Sequence, residues 1–81
     1  MNIGERIQIQ NDQLEGLYAR WARDCEQAKL NGYSQELPEG IYEAVAKDDG
    51  GVLLADVLAS DCASDKHRYY VLNEELNEHN Y

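Results

Sequence analysis

Eight carboxylates and one ammonium share residues 36–65: Glu36, Glu39, Glu43, Asp48, Asp49, Asp56, Asp61 and Asp65 against Lys47, eight minus one leaving an excess of seven negative charges. Three kinds of chemistry use such a set. General acid–base catalysis needs one carboxyl in an apolar pocket that holds its proton near neutral pH. Metal binding needs ligands at defined spacings. Charge mimicry needs only a rigid row, since carboxylates two apart on a strand lie about 6.6 Å from one another, comparable to the spacing of phosphates along a nucleic-acid strand.

The first two are poorly served. An 81-residue chain builds a thin core with little room for a deep pocket, which for drug-sized ligands is roughly 300 to 1,000 Å³. Asp61, Cys62, Asp65 and His67 are metal-ligand types, but their spacing matches neither a tetrahedral zinc site nor an EF-hand loop. Cys25 and Cys62 form no Cys-x-x-Cys pair and read as free thiols of a reducing compartment. A nucleophile–base pairing of either with His67 or His79 has no supporting motif, and Asp48-Asp49-Gly50-Gly51 would repel a phosphate rather than cradle it. The expectation is a non-enzyme without cofactor or metal.

Charge mimicry remains. The first 35 residues carry five acids against four bases and residues 66–81 three against two, so the net charge of −9 comes mostly from the middle. Such a field repels nucleic acid and anionic membrane and attracts basic protein surfaces. The candidate partner-binding residues are the eight carboxylates with Tyr42 and Tyr70. Tyrosine is enriched at interfaces, and Tyr69 and Tyr70 on one strand must face opposite ways, leaving one as an anchor.

These side chains need elements to hold them. From Asn11 to Gly32 the residues Leu14, Leu17, Tyr18, Trp21, Cys25 and Ala28 recur at three- and four-residue steps, predicting an amphipathic helix. Ile3 and Ile7 extend the stripe backwards, although Ile7-Gln8-Ile9 also alternates like a strand. Gly32 would supply a left-handed stop, and Trp21 should be buried. Past Pro38 and Gly40, two apolar runs flank Asp48-Asp49-Gly50-Gly51 as a hairpin signal. Residues 53–62 also fit a helical face, the rival reading. Arg68-Tyr69-Tyr70-Val71-Leu72 reads as a strand.

The expected fold is therefore α+β in a single domain. An N-terminal amphipathic helix over about 3–31 packs on a small three-stranded antiparallel sheet, formed by a hairpin over about 41–59 and a strand over about 68–72, before a frayed C-terminal tail. The N-terminus has no leader pattern and no apolar run spans a membrane, so a cytoplasmic protein is expected.

The expected function is that of a small acidic inhibitor that occupies a basic, nucleic-acid-binding site of a larger protein. It would contact neither nucleic acid nor membrane directly and would act as a monomer. In size and charge the chain is similar to the small acidic inhibitors of phages and mobile elements, anti-CRISPR and antirestriction DNA mimics among them. That likeness is one of composition and implies the host cytoplasm. The alternative is a structural or regulatory subunit that homodimerises through its helix or a sheet edge, its acidity serving solubility alone.

Overall fold

The computed structural model describes residues 1–10, 16–58 and 67–78, Glu78 by its backbone only. The elements in chain order are β1 (Arg6–Ile9), β2 (Tyr18–Trp21), α1 (Cys25–Leu30), β3 (Gln35–Glu36), β4 (Gly40–Lys47), β5 (Gly51–Asp56), β6 (Arg68–Leu72) and α2 (Asn73–Glu78). All strands join one antiparallel sheet in the order β1-β4-β5-β6-β2-β3, curled into a half-barrel.

The α+β expectation is thus corrected: the fold is mostly β, and no N-terminal helix lies on a three-stranded sheet. Among its described residues, the segment read as a helix over about 3–31 holds two strands and six helical residues. The reason lies in a coincidence of periods. Residues i and i+4 share a face in a strand as well as in a helix, so Leu17 and Trp21 fit both. Ala19 decides between them. It is buried beside Leu17, while Tyr18 between them is exposed, an alternation only a strand produces. Gly16 and the run Tyr18-Ala19-Arg20-Trp21 also weaken the helix, since glycine destabilises it by about 1 kcal/mol and aromatic residues favour strands. Ile3, Ile7, Trp21 and Ala28 consequently fall on separate segments and form no helical stripe.

What remains of the helix begins where Asp24 accepts from the Gln27 amide at 2.7 Å, an N-cap. It ends at Asn31 in extended geometry, not at a left-handed Gly32; Gly4 is the one glycine with positive φ among the described residues.

The curl gives the sheet an inside and an outside, each with its own core. Inside lie Ile7, Ile9, Leu17, Ala19, Leu37, Tyr42, Ala44, Val52, Leu54, Val71 and, from α2, Leu76. Outside, α1 covers Leu53 and Tyr70 with Ala22 and Ala28, joined by Cys25, Val45 and Ala46. Strand β5 is therefore buried on both faces from Gly51 to Ala55. That is why Val52-Leu53-Leu54-Ala55 is continuously apolar, a pattern that periodicity alone does not separate from a helix. A bulge at Val45 shifts β4 by one residue against β5, sending Tyr42 and Ala44 inward but Val45 and Ala46 outward.

The turn Asp48–Gly51 uses its glycines for space rather than for positive φ. A Cβ on Gly51 would strike the Val71 carbonyl oxygen and meet the Tyr70 ring at 2.8 Å, whereas one on Gly50 would meet the Tyr70 hydroxyl at 3.0 Å and Asp48 Oδ1 at an ordinary 3.6 Å. Gly51→Ala should therefore destabilise the protein by about 1 to 3 kcal/mol, and Gly50→Ala by less. Urea denaturation of the two variants checks the order.

Candidate protein interface

Of the ten residues singled out as partner-binding, the structure disperses most. Glu43, half-buried in β4, pairs with Arg6 across β1 at 3.2 Å. Asp56 sits at the far end of the hairpin, where its Oδ1 accepts from the Leu58 amide at 3.0 Å. Glu36, Glu39 and Asp49 are exposed. The rigid row that charge mimicry needs, for which the sequence offers Glu43, Asp48, Asp49 and Asp56 along the hairpin, is accordingly not formed. Asp61 and Asp65 lie outside the described residues, as does Cys62.

Neither chosen tyrosine is on the surface. Tyr42 is 0% exposed inside the half-barrel, donates its hydroxyl to the Pro38 carbonyl at 2.7 Å and stands edge-on to Tyr69. Burial and the nearby Asp56 carboxylate raise its pKa. Tyr70, 3% exposed, lies under α1 on the other face. The anchor expected from Tyr69 and Tyr70 fails because Tyr69 packs against the inner core and Tyr70 lies under α1. Trp21, expected inside, is 36% exposed.

Asp48 is an internal residue in function. Its Oδ1 accepts from the Gly50 and Gly51 amides at 2.9 and 3.0 Å and from the Tyr70 hydroxyl, and the Lys29 ammonium of α1 stands 3.4 Å from Oδ2. At that separation the ammonium acts by charge, with Oδ2 lacking a well-formed hydrogen bond. The Tyr70 hydroxyl first, then the amides and Lys29, hold the Asp48 carboxyl down to about 2. Tyr70 is raised in turn, by burial and by that carboxylate. Beside them Cys25, a free thiol, is pushed up by burial and by Asp48.

A different acidic surface is assembled by the topology. The α2 start sits on the hairpin tip, because Asn73 donates its amide to the Gly50 carbonyl and its side chain to the Asp49 carbonyl, both at 3.0 Å. Glu74 and Glu75 thereby join Asp49. Glu75 also reaches β2, its Oε1 accepting from the Tyr18 amide at 3.0 Å. That amide lies beyond the last β2–β6 pair, Arg20↔Tyr70, and the carboxylate supplies its acceptor. Across the other side of β2, Tyr18 is paired with Glu36 of β3. Tyr18 is 52% and Leu72 37% exposed, and strand alternation puts both on the outer face that α1 leaves uncovered here.

Sequence reading missed Tyr18, Leu72, Glu74 and Glu75. The Tyr18-Ala19 alternation and Asn73-Glu74-Glu75, a helix start after a strand, were the available signals.

The described cations are largely occupied within the fold. Arg6 pairs with Glu43 and Lys29 with Asp48, while Arg20 and Arg68 donate to the carbonyls of Ala28 and Arg23, each at 3.3 Å. These arginines clasp α1 and its entry loop to the outer sheet face. No helix among the described residues is long and apolar enough to cross a membrane. Comparison with protein-family models, curated proteins and solved structures finds no match to this chain.

The Asp48 network makes a pH prediction. A carboxyl held at about 2 when folded, against an ordinary 3.8, contributes stability that is complete above the ordinary value and is lost as pH falls through the folded one. The urea midpoint should therefore decline between about pH 4 and pH 2. Asp48→Asn should lack this part of the decline, and Tyr70→Phe should move it to higher pH.

Proposed function

We propose that this protein is a non-enzymatic acidic inhibitor that docks on a basic, nucleic-acid-binding site of a larger protein and so competes with nucleic acid. The observation that carries the reading is the junction of α2 with the hairpin tip, which adds Glu74 and Glu75 to Asp49 and brings Glu75 beside Tyr18. A charged margin around exposed aromatic and aliphatic area is the composition of a protein interface. Long-range attraction follows from a net charge of −9, with Arg6, Arg20, Lys29 and Arg68 spent on internal contacts.

The test is capture of the partner from lysate of the native host, followed by competition with nucleic acid. Partner and nucleic acid should exclude one another, and binding should weaken as salt rises from about 50 to about 500 mM, where the screening length shortens from about 14 to about 4 Å. Reversing Glu36, Asp49 and Glu74 to lysine should abolish binding with the fold retained, because exposed charges contribute little to stability. Asp48→Lys should instead lower the unfolding midpoint. A triple reversal that stays folded and binds as tightly as the parent would exclude this surface.

A further inference from the structure

We infer that the uncovered end of the outer sheet face, centred on Tyr18, receives an arginine side chain of the basic partner. The inference rests on the proposed docking function and specifies its central contact. Strand alternation aims Tyr18 outward beside Leu72, and α1 stops short of both, covering Tyr70, Leu53 and Ala22 instead. An acidic residue neighbours Tyr18 on each side: Glu36, its register partner on β3, with its carboxylate over Gly16, and Glu75 of α2 at the Tyr18 amide. Laterally adjacent pairs such as Tyr18 and Glu36 have Cβ atoms about 4.5 to 5.5 Å apart. Glu75 is fixed on the β6 side by its bond to the Tyr18 amide.

Gly16 contributes to the same arrangement. A Cβ there would collide with the Glu36 carboxylate, so the missing side chain lets Glu36 fold back against β2 rather than extend into solvent. Asp49 and Glu74 stand at the margin, tied to one another through Asn73. β3 and α2, which flank the ring, contribute no lysine or arginine, and Arg20, two residues along the same face of β2, is turned to the Ala28 carbonyl of α1.

A flat, amphipathic ring neighboured by two acidic residues fits a guanidinium better than an ammonium. Guanidinium is planar and weakly hydrated, stacks on aromatic faces and directs N–H groups sideways in its own plane, toward neighbouring carboxylates. An ammonium is a compact, strongly hydrated point charge that gains from the acidic field but little from the ring. The occupant is thus an arginine-bearing segment, chosen by charge complementarity and by shape.

Oligo-arginine and oligo-lysine peptides of equal length are the probes, titrated into the full chain at low salt with amide chemical shifts and calorimetry as readouts. The arginine peptide should bind more tightly and shift Tyr18, Glu36, Leu72 and Glu75. Tyr18→Thr, which keeps strand propensity but removes the ring, should weaken the arginine peptide roughly three- to tenfold and the lysine peptide hardly at all. Tyr18→Phe should retain the preference and guards against a general effect on folding. Equal affinity for the two peptides, or shifts confined to Glu39 and Asp56, would overturn the Tyr18 site and leave the basic-partner reading standing. Absence of binding by either peptide at low salt would overturn both.

Discussion

Three residues, Leu37, Pro38 and Glu39, connect β3 to β4, and that short link constrains the whole sheet. In the strand order β1-β4-β5-β6-β2-β3, β3 and β4 are four neighbours apart, about 19 Å in a flat sheet. An extended chain from Glu36 to Gly40 reaches no more than roughly 14 Å. A flat sheet is therefore impossible and the strands must curl. The curl turns Leu37 into a buried residue, brings the Pro38 carbonyl to the Tyr42 hydroxyl, and gathers side chains from all the long strands into one inner core. Small residues, Ala19 and Ala44, alternate with Tyr42 and Leu54 there, as a tightly curved interior requires.

Curling also leaves the convex face without a partner sheet, and α1 with its two arginine clasps closes part of it. A six-residue helix is too short to hold itself in water and depends on this packing. Asp48 links the pieces: one carboxylate shapes the β4–β5 turn, receives the hydroxyl of Tyr70 from β6 and faces the ammonium of Lys29 from α1. Two contrasting sets stand out among the described acids. Asp24, Asp48, Asp56 and Glu75 satisfy backbone amides at a cap, at turns and at a strand end, whereas Asp49 and Glu74 project into solvent and Glu36, exposed as well, lies folded over Gly16. The second set, with Glu75 held at its edge, provides the outward field on which the proposed docking depends.

The limited reach of α1 gives that field a centre. The helix ends at Asn31, whose side chain donates to the Trp21 carbonyl at the far end of β2 from Tyr18, and Tyr18 and Leu72 stay exposed. The surface proposed for binding is therefore what the short covering helix leaves open.

Composition alone determined the acidity of the chain and its concentration in residues 36–65. Local chemistry determined the turn at Asp48–Gly51, flanked by apolar runs, and the strand Arg68–Leu72, because turn residues and a short aromatic, β-branched run act through neighbours in sequence. The N-terminal third was not legible in this way. Leu17 and Trp21 satisfy strand and helix periods alike, and which period governs depends on whether β6 and β3 are there to pair with β2. Tertiary structure also decided the roles of individual side chains: Asp48 became an internal node, Tyr42 and Tyr70 were buried on opposite faces, and Glu74 and Glu75 were carried from a nearly balanced flank to the hairpin tip. Sequence determines charge and local turn geometry because these act over a few residues. Which carboxylates share a surface depends on strand order, and strand order is fixed by contacts between residues far apart in the chain.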